Sequence, residues 1–188
     1  MWTLKSSRNI DSFIQSEVES AFEELRSRSD LGYFRADLLE ETLSNVEEHS
    51  SFFSGKKNLA VIGVGGSSLG TKALCKALFP NQDKIKLLDN VDSHSIDHWL
   101  STVNPEDWAW VMVSKSGGTM EVLSLYDYCH QWMKEKHGFS IISKTAVVTE
   151  DKESEVKNFA TQNNLPCLDV PFDVGGRFSV FTPVGLFP

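Results

Sequence analysis

Three short runs in this sequence combine a bendable backbone with hydrogen-bond donors. In Gly63-Val-Gly-Gly-Ser-Ser-Leu-Gly70 the glycines allow a tight turn that brings N–H groups to an anion, and Ser67 and Ser68 add hydroxyls. Ser114-Lys-Ser-Gly-Gly-Thr119 repeats the pattern with three hydroxyls and the ammonium of Lys115. Val174-Gly-Gly-Arg-Phe-Ser179 sets Arg177 behind two glycines, which permit an unusual backbone path and offer a donor fork to oxygen-rich groups. The first run is not a Walker A loop, because it lacks Gly-Lys-Ser/Thr at the helix start. It begins like a dinucleotide fingerprint, with Gly63-x-Gly65 and Asp89 at the end of the next strand, but Ser68 stands at the third glycine position. Sugar phosphate or another small phosphate, a nucleotide, and a purely structural turn all remain open at this point. Thr119 or Glu121 also suits a plain helix start, and Arg177 also suits a surface loop paired with a carboxylate.

The elements around these runs follow from hydrophobic periodicity. Residues 9–28 read as an amphipathic helix capped by Asp11 or Ser12, with Ile10, Ile14, Val18, Phe22 and Leu25 at helical spacing. A second helix is expected over 37–49, carrying Leu38, Leu39, Leu43 and Val46, and both apolar faces should pack on a following sheet. Apolar runs at 59–64, 85–88, 108–113, 145–149 and 165–170 alternate with helices near 69–79, 93–102, 119–136 and 153–160. Strands covered on both faces lose their alternation, so this pattern predicts an α/β fold with an open parallel, Rossmann-like sheet. Both hydroxyl-rich runs then leave the carboxyl edge of that sheet, after strands ending at Val64 and near Ser114, and converge. The apolar stretch from Phe181 to Pro188 hints at a boundary within a longer chain.

Composition narrows the classes. The 188 residues suit one domain, or a domain with a helical extension, and five Trp with twelve Phe exclude disorder as a description of the whole. A formal charge of -8 argues against a general nucleic-acid binder without excluding a local phosphate site. Cys75, Cys129 and Cys167 form neither a metal pair nor a disulfide framework, which points to a reducing compartment. Met1–Lys5 does not read as a signal peptide and no apolar run is long enough for a membrane span, so a cytoplasmic protein is expected. His94 and His98, with Asp92 and Asp97 nearby, lack a third ligand and read as a surface helix. Trp99, Trp108, Trp110 and Trp132 read as core and sheet cover, and no Ser-His-Asp or Cys-His set stands out.

Taken in order, the first two runs and Asp173-Val-Gly-Gly-Arg-Phe-Ser-Val-Phe-Thr-Pro-Val-Gly-Leu-Phe-Pro188 resemble the glucose-6-phosphate isomerase (phosphoglucose isomerase) family. The last run is the most specific, whereas the first two are typical of sugar isomerase (SIS) domains in general. The resemblance implies an N-terminal helical segment over 1–50 and a first SIS domain over 51–188, truncated at its C-terminal end. It implies that Gly66, Ser67, Ser114, Lys115, Ser116 and Thr119 bind the substrate phosphate, and that Arg177 stabilises a developing enediolate. The implied substrates are glucose 6-phosphate and fructose 6-phosphate, interconverted through a cis-enediol(ate) without metal or organic cofactor. A homodimer is implied for the longer protein, with no nucleic-acid or membrane partner. Gly118 and Val122 depart from the family pattern, in which a hydroxyl residue and a small polar residue or Pro are more usual. The family's glutamate base, its ring-opening histidine and its C-terminal lysine and glutamine have no counterpart here, so the resemblance implies an incomplete portion. A sugar-phosphate-sensing SIS regulator or another SIS isomerase is the alternative.

Overall fold

The computed structural model describes residues 12–188 except 29, 36 and 82, so Ile10 and Asp11 lie outside the described residues. Helix α1, Ser12–Ser27, aligns Ile14, Val18, Phe22 and Leu25 as the spacing requires. Yet these four side chains are between 40% and 62% exposed. The expected packing of this face on the sheet is therefore not found. Helix α2, Leu38–His49, does pack inward through Leu38 and Thr42, although Leu39 and Leu43 stay exposed.

The remainder alternates strand and helix: β1 Asn58–Ile62, α3 Gly66–Leu78, β2 Ile85–Leu88, α4 Ser93–Leu100, β3 Trp108–Val113, α5 Met120–His137, β4 Thr145–Glu150, α6 Glu155–Gln162 and β5 Cys167–Val170. All strand pairs are parallel, in the order β2-β1-β3-β4-β5. From β1 the chain first moves outward to β2, then crosses back to place β3 on the other flank of β1. β1 and β3 are thus neighbours at the point where the winding reverses, with Ile62 level with Met112. In parallel α/β sheets that crevice is where ligands bind.

Burial on both sheet faces explains the continuous apolar runs. All six residues of β3 are buried. Ile62, Trp110 and Met112 pack on one face with Leu100, Val122 and Met133. Val61, Val111, Val113 and Val148 pack on the other face with Val184 and Phe187. Those last two residues belong to the apolar stretch from Phe181 to Pro188, to which periodicity assigns no element. Residues 176–181 form a 3-10 helix, and Pro183–Leu186 form a short helix α7. Thr182 Oγ1 accepts from the Val184 N–H at 3.3 Å, so Thr-Pro is a cap followed by proline at the first helical position. Among the described residues no helix is long and apolar enough to cross a membrane.

The core holds two ionisable groups whose burial matters for stability. Burial pushes the Cys129 thiol from 9.0 up to about 12. It likewise pushes the Tyr126 phenol from 10.0 up to about 12, against the opposing pull of its Thr145 hydrogen bond. In both cases the folded chain holds its proton more tightly than the unfolded chain. Their contribution is thus fully present below about pH 9 and is lost as pH rises towards 12, by at most about 1.4 kcal/mol per pH unit per group. Urea midpoints should fall between pH 9 and 11, and Cys129→Ala should flatten that fall. An unchanged slope in the variant would remove the thiol from the account.

Candidate functional site

The two hydroxyl-rich loops leave adjacent strands at the same edge. β1 ends at Ile62, two residues before the expected Val64, although the Gly63 N–H still donates to Leu88 O at 3.2 Å. The chain then turns through Gly65, whose φ of +58° favours glycine. α3 starts at Gly66, three residues earlier than the periodicity suggested, because its first turn carries no apolar signal. A Cβ on Gly63 would lie 3.2 Å from Val113 O, so this turn sits directly against the end of β3.

Ser67 and Ser68 have separate fates. Ser68 is buried and its Oγ donates back to Gly65 O at 3.2 Å, which makes it part of the turn. Ser67 is only partly buried, and its hydroxyl bonds to no other described residue. It is a free donor at the positive end of α3. Asp89, the acidic residue of the dinucleotide alternative, is held by Lys72 Nζ at 2.8 Å.

In the second loop the hydroxyls bond to one another. Ser114 is buried, and its Oγ lies 2.9 Å from Thr119 Oγ1 and accepts from the Gly117 N–H at 3.2 Å. Ser116 is exposed, with its Oγ 3.1 Å from the same Thr119 oxygen. Thr119 occupies the N-cap position of α5 but makes no side-chain cap bond. A simple cap therefore does not account for it. Gly117, at φ +70°, is packed against Ser154 and Thr149. The departure at Gly118 has a local consequence, since a Cβ there would lie 3.0 Å from the Glu155 carboxylate. Val122 is fully buried in the core, so its departure falls on packing.

Lys115 is placed differently from the other donors. Its Nζ donates to Phe172 O at 2.9 Å and Val174 O at 2.7 Å. The ammonium thus points at the backbone leading into the arginine turn. That turn also rests on the first loop. A Cβ on Gly66 would fall 2.5 Å from Gly176 O and 3.1 Å from Arg177 N. Two further contacts come from the N-terminal part, where the Gly32 N–H donates to Asp173 O at 3.1 Å and the Tyr33 ring stacks on Phe178 at 4.4 Å.

Arg177 is exposed and makes no ion pair with a described carboxylate. Gly175 has φ −61° and Gly176 is not left-handed either, so the expected unusual backbone path is not what these glycines supply. Nothing in the structure explains Gly176, whose Cβ would meet no atom. Sequence reasoning missed the Lys115 bonds and the Gly32–Tyr33 contacts. For the latter the only sequence signal is the interruption of helical periodicity at Asp30-Leu31-Gly32-Tyr33, ahead of α2. Among the described residues no three His, Cys, Asp or Glu side chains are grouped to hold a metal.

The α/β fold of this chain, a parallel sheet flanked by helices, is shared with a solved structure from Bacteroides fragilis at TM-score 0.52 and 18% identity, over 90% of this chain and 85% of that one. Residues 37–188 match the Phosphoglucose isomerase family, and the chain belongs to that family. It is 33% identical over 181 residues to glucose-6-phosphate isomerase of Campylobacter jejuni, covering 93% of this chain and 43% of that protein. A solved hypothetical protein from Thermus thermophilus superposes with TM-score 0.78 at 33% identity, over 92% of this chain and 44% of its own. A solved glucose-6-phosphate isomerase from Chlamydia trachomatis gives TM-score 0.68 at 30% identity, over 79% and 28%. The chain therefore spans less than half the length of these relatives.

The close approach of Gly66 to Gly176 yields a direct test. Gly66→Ala drives a methyl group into backbone that cannot rotate away, so it should destabilise by about 1–3 kcal/mol. Gly55→Ala is the backbone control, because a Cβ there meets nothing and only its φ of +73° is strained. Urea unfolding should place Gly66→Ala below that control, and equal midpoints would show that the turn yields freely.

Proposed function

We propose that this chain supplies the phosphate-holding and arginine-bearing part of an aldose–ketose isomerase acting on glucose 6-phosphate and fructose 6-phosphate. The observation that carries the reading is the hydroxyl chain Ser114–Thr119–Ser116 at the start of α5, beside the free Ser67 hydroxyl at the start of α3. Two helix N-termini and neutral donors on one sheet edge suit a dianionic phosphate. Gly66, Ser67, Ser114, Ser116 and Thr119 form that cradle by their side chains or amides, and Lys115 contributes through its place in the second loop.

Holding a remote phosphate orients the carbons that react. C1 and C2 exchange oxidation states within one substrate, so the reaction closes by proton transfer and needs no external hydride. Removing the C2 proton places negative charge on the enediolate oxygen. Arg177, unpaired among the described residues, puts a fixed positive charge where that charge develops. The match of residues 37–188 to the Phosphoglucose isomerase family favours the enzyme over a module that only senses sugar phosphate. Proton transfer needs a base within about 3 Å of the reacting carbon. Glu121 is in the first turn of α5, next to Thr119 and thus at the phosphate end. On this reading the base comes from outside residues 1–188, and the complete enzyme is a cytoplasmic homodimer.

Two measurements test this reading. Ser116→Ala should weaken glucose 6-phosphate or inorganic phosphate binding by about 1.5–3 kcal/mol in calorimetry. The unaltered chain should bind either ligand better than NAD or ATP, and the opposite ranking would overturn the assignment. In a coupled isomerase assay beside the Campylobacter jejuni relative, residues 1–188 should show no comparable turnover. Turnover within about tenfold, abolished by Glu121→Gln, would make Glu121 the base; turnover surviving that change would place another base within the chain.

A further inference from the structure

We propose that Lys115 is a positioning residue for Arg177 and that its side chain is not a phosphate ligand. This inference rests on the phosphate reading of Ser67, Ser114, Ser116 and Thr119. The ammonium has three donors, and two of them are committed to carbonyls at 2.9 and 2.7 Å on Phe172 and Val174. One donor is left over, and the ammonium is held by the two carbonyls, which flank Asp173 just before the arginine turn.

The main chain of Lys115 is fixed independently of its side chain. Lys115 O accepts from the Glu150 N–H at 3.2 Å, and the preceding Ser114 N–H donates to Val148 O at 3.0 Å. Lys115 thus projects from a rigid extension of β3 and ties that extension to a segment lacking strand pairing. Residues 172–175 follow the last paired position, Glu150 with Val170. Downstream, the backbone at Gly176 and Arg177 rests on Gly66 in the first turn of α3. The arginine turn is therefore held between the two loops, by a packing contact from the first and by two charge-assisted hydrogen bonds from the second. One side chain links the loop that seats the phosphate to the group at the reacting end.

The test uses inorganic phosphate as the probe with the 188-residue chain, Lys115→Met and Lys115→Arg. Phosphate affinity is read by calorimetry, and amide exchange of residues 174–182 is read by mass spectrometry. Lys115→Met should keep phosphate affinity within about threefold. Exchange at 174–182 should rise about tenfold or more, with the β1 and β3 amides unchanged. Lys115→Arg, which keeps a charged donor for the two carbonyls, should restore slow exchange. Lys115→Gln takes the place of the methionine variant where that variant does not fold. A loss of phosphate affinity of about tenfold or more, with exchange at 174–182 unchanged, would make Lys115 a ligand and overturn the proposal. Unchanged exchange with unchanged affinity would overturn it as well. Failure of the unaltered chain to bind phosphate would count against the phosphate reading, while the exchange comparison would still decide whether Lys115 holds the turn.

Discussion

The parallel pairing of β1 with β3 is the constraint on which the rest of the site depends. The two strands are separated in sequence by β2 and two helices, yet they lie side by side with Ile62 opposite Met112. Neighbouring strands lie about 4.8 Å apart, so residues leaving their ends begin within reach of one small anion. Had β3 been added beyond β2, a whole strand would separate the two loops. The register is equally demanding. A slip of one residue in β1 would turn Ile62 out of the face it shares with Trp110 and Met112 and would shift one loop along the edge relative to the other. Core packing therefore fixes the spacing of the loops.

The arginine turn depends on contacts of another kind. It has no strand partner and is positioned by residues distant in sequence: Gly32 and Tyr33 near the start, Gly66 at the head of α3, and Lys115 after β3. Thr71 Oγ1 adds a buried hydrogen bond to Val184 O at 2.9 Å, fastening the short helix that follows the turn. Apart from the Tyr33 ring, each anchor is small or polar. None would be placed there by hydrophobic periodicity.

That difference explains what the sequence made legible. The five strands and the four crossover helices were readable because burial on both faces leaves apolar runs, as in the fully buried β3. The shared edge followed from the repeated strand–donor–helix order. The boundaries at Ile62 and Gly66 were less legible, because glycine and serine carry no periodic signal. The exposed stripe of α1 shows the converse, where amphipathic spacing predicts a helix but not what covers it. In the site, residue types identified the hydroxyl donors, but only coordinates separate the free Ser67 from the inward Ser68. Likewise, Thr119 occupies a cap position while its hydroxyl bonds Ser114 and Ser116.

Net charge gives a poor account of this edge, and the reason is short range. Screening acts over about 8 Å at physiological salt, so a formal charge of -8 spread over 188 residues says little about the field at two loops. Several acids near the strand ends are already occupied: Asp89 by Lys72, Asp169 by Lys157 and Glu150 by Lys152. With the Lys115 ammonium turned to backbone carbonyls, the donors left at the loops are neutral hydroxyls and helix-terminal amides. Such donors do not change as the reaction proceeds, so under the proposed chemistry they would hold substrate, intermediate and product about equally. Uniform binding of that kind orients the sugar without itself lowering the barrier. Under the same proposal the discrimination would fall to Arg177, whose guanidinium is left unpaired by every other described residue and would face a charge that appears only as the proton leaves carbon.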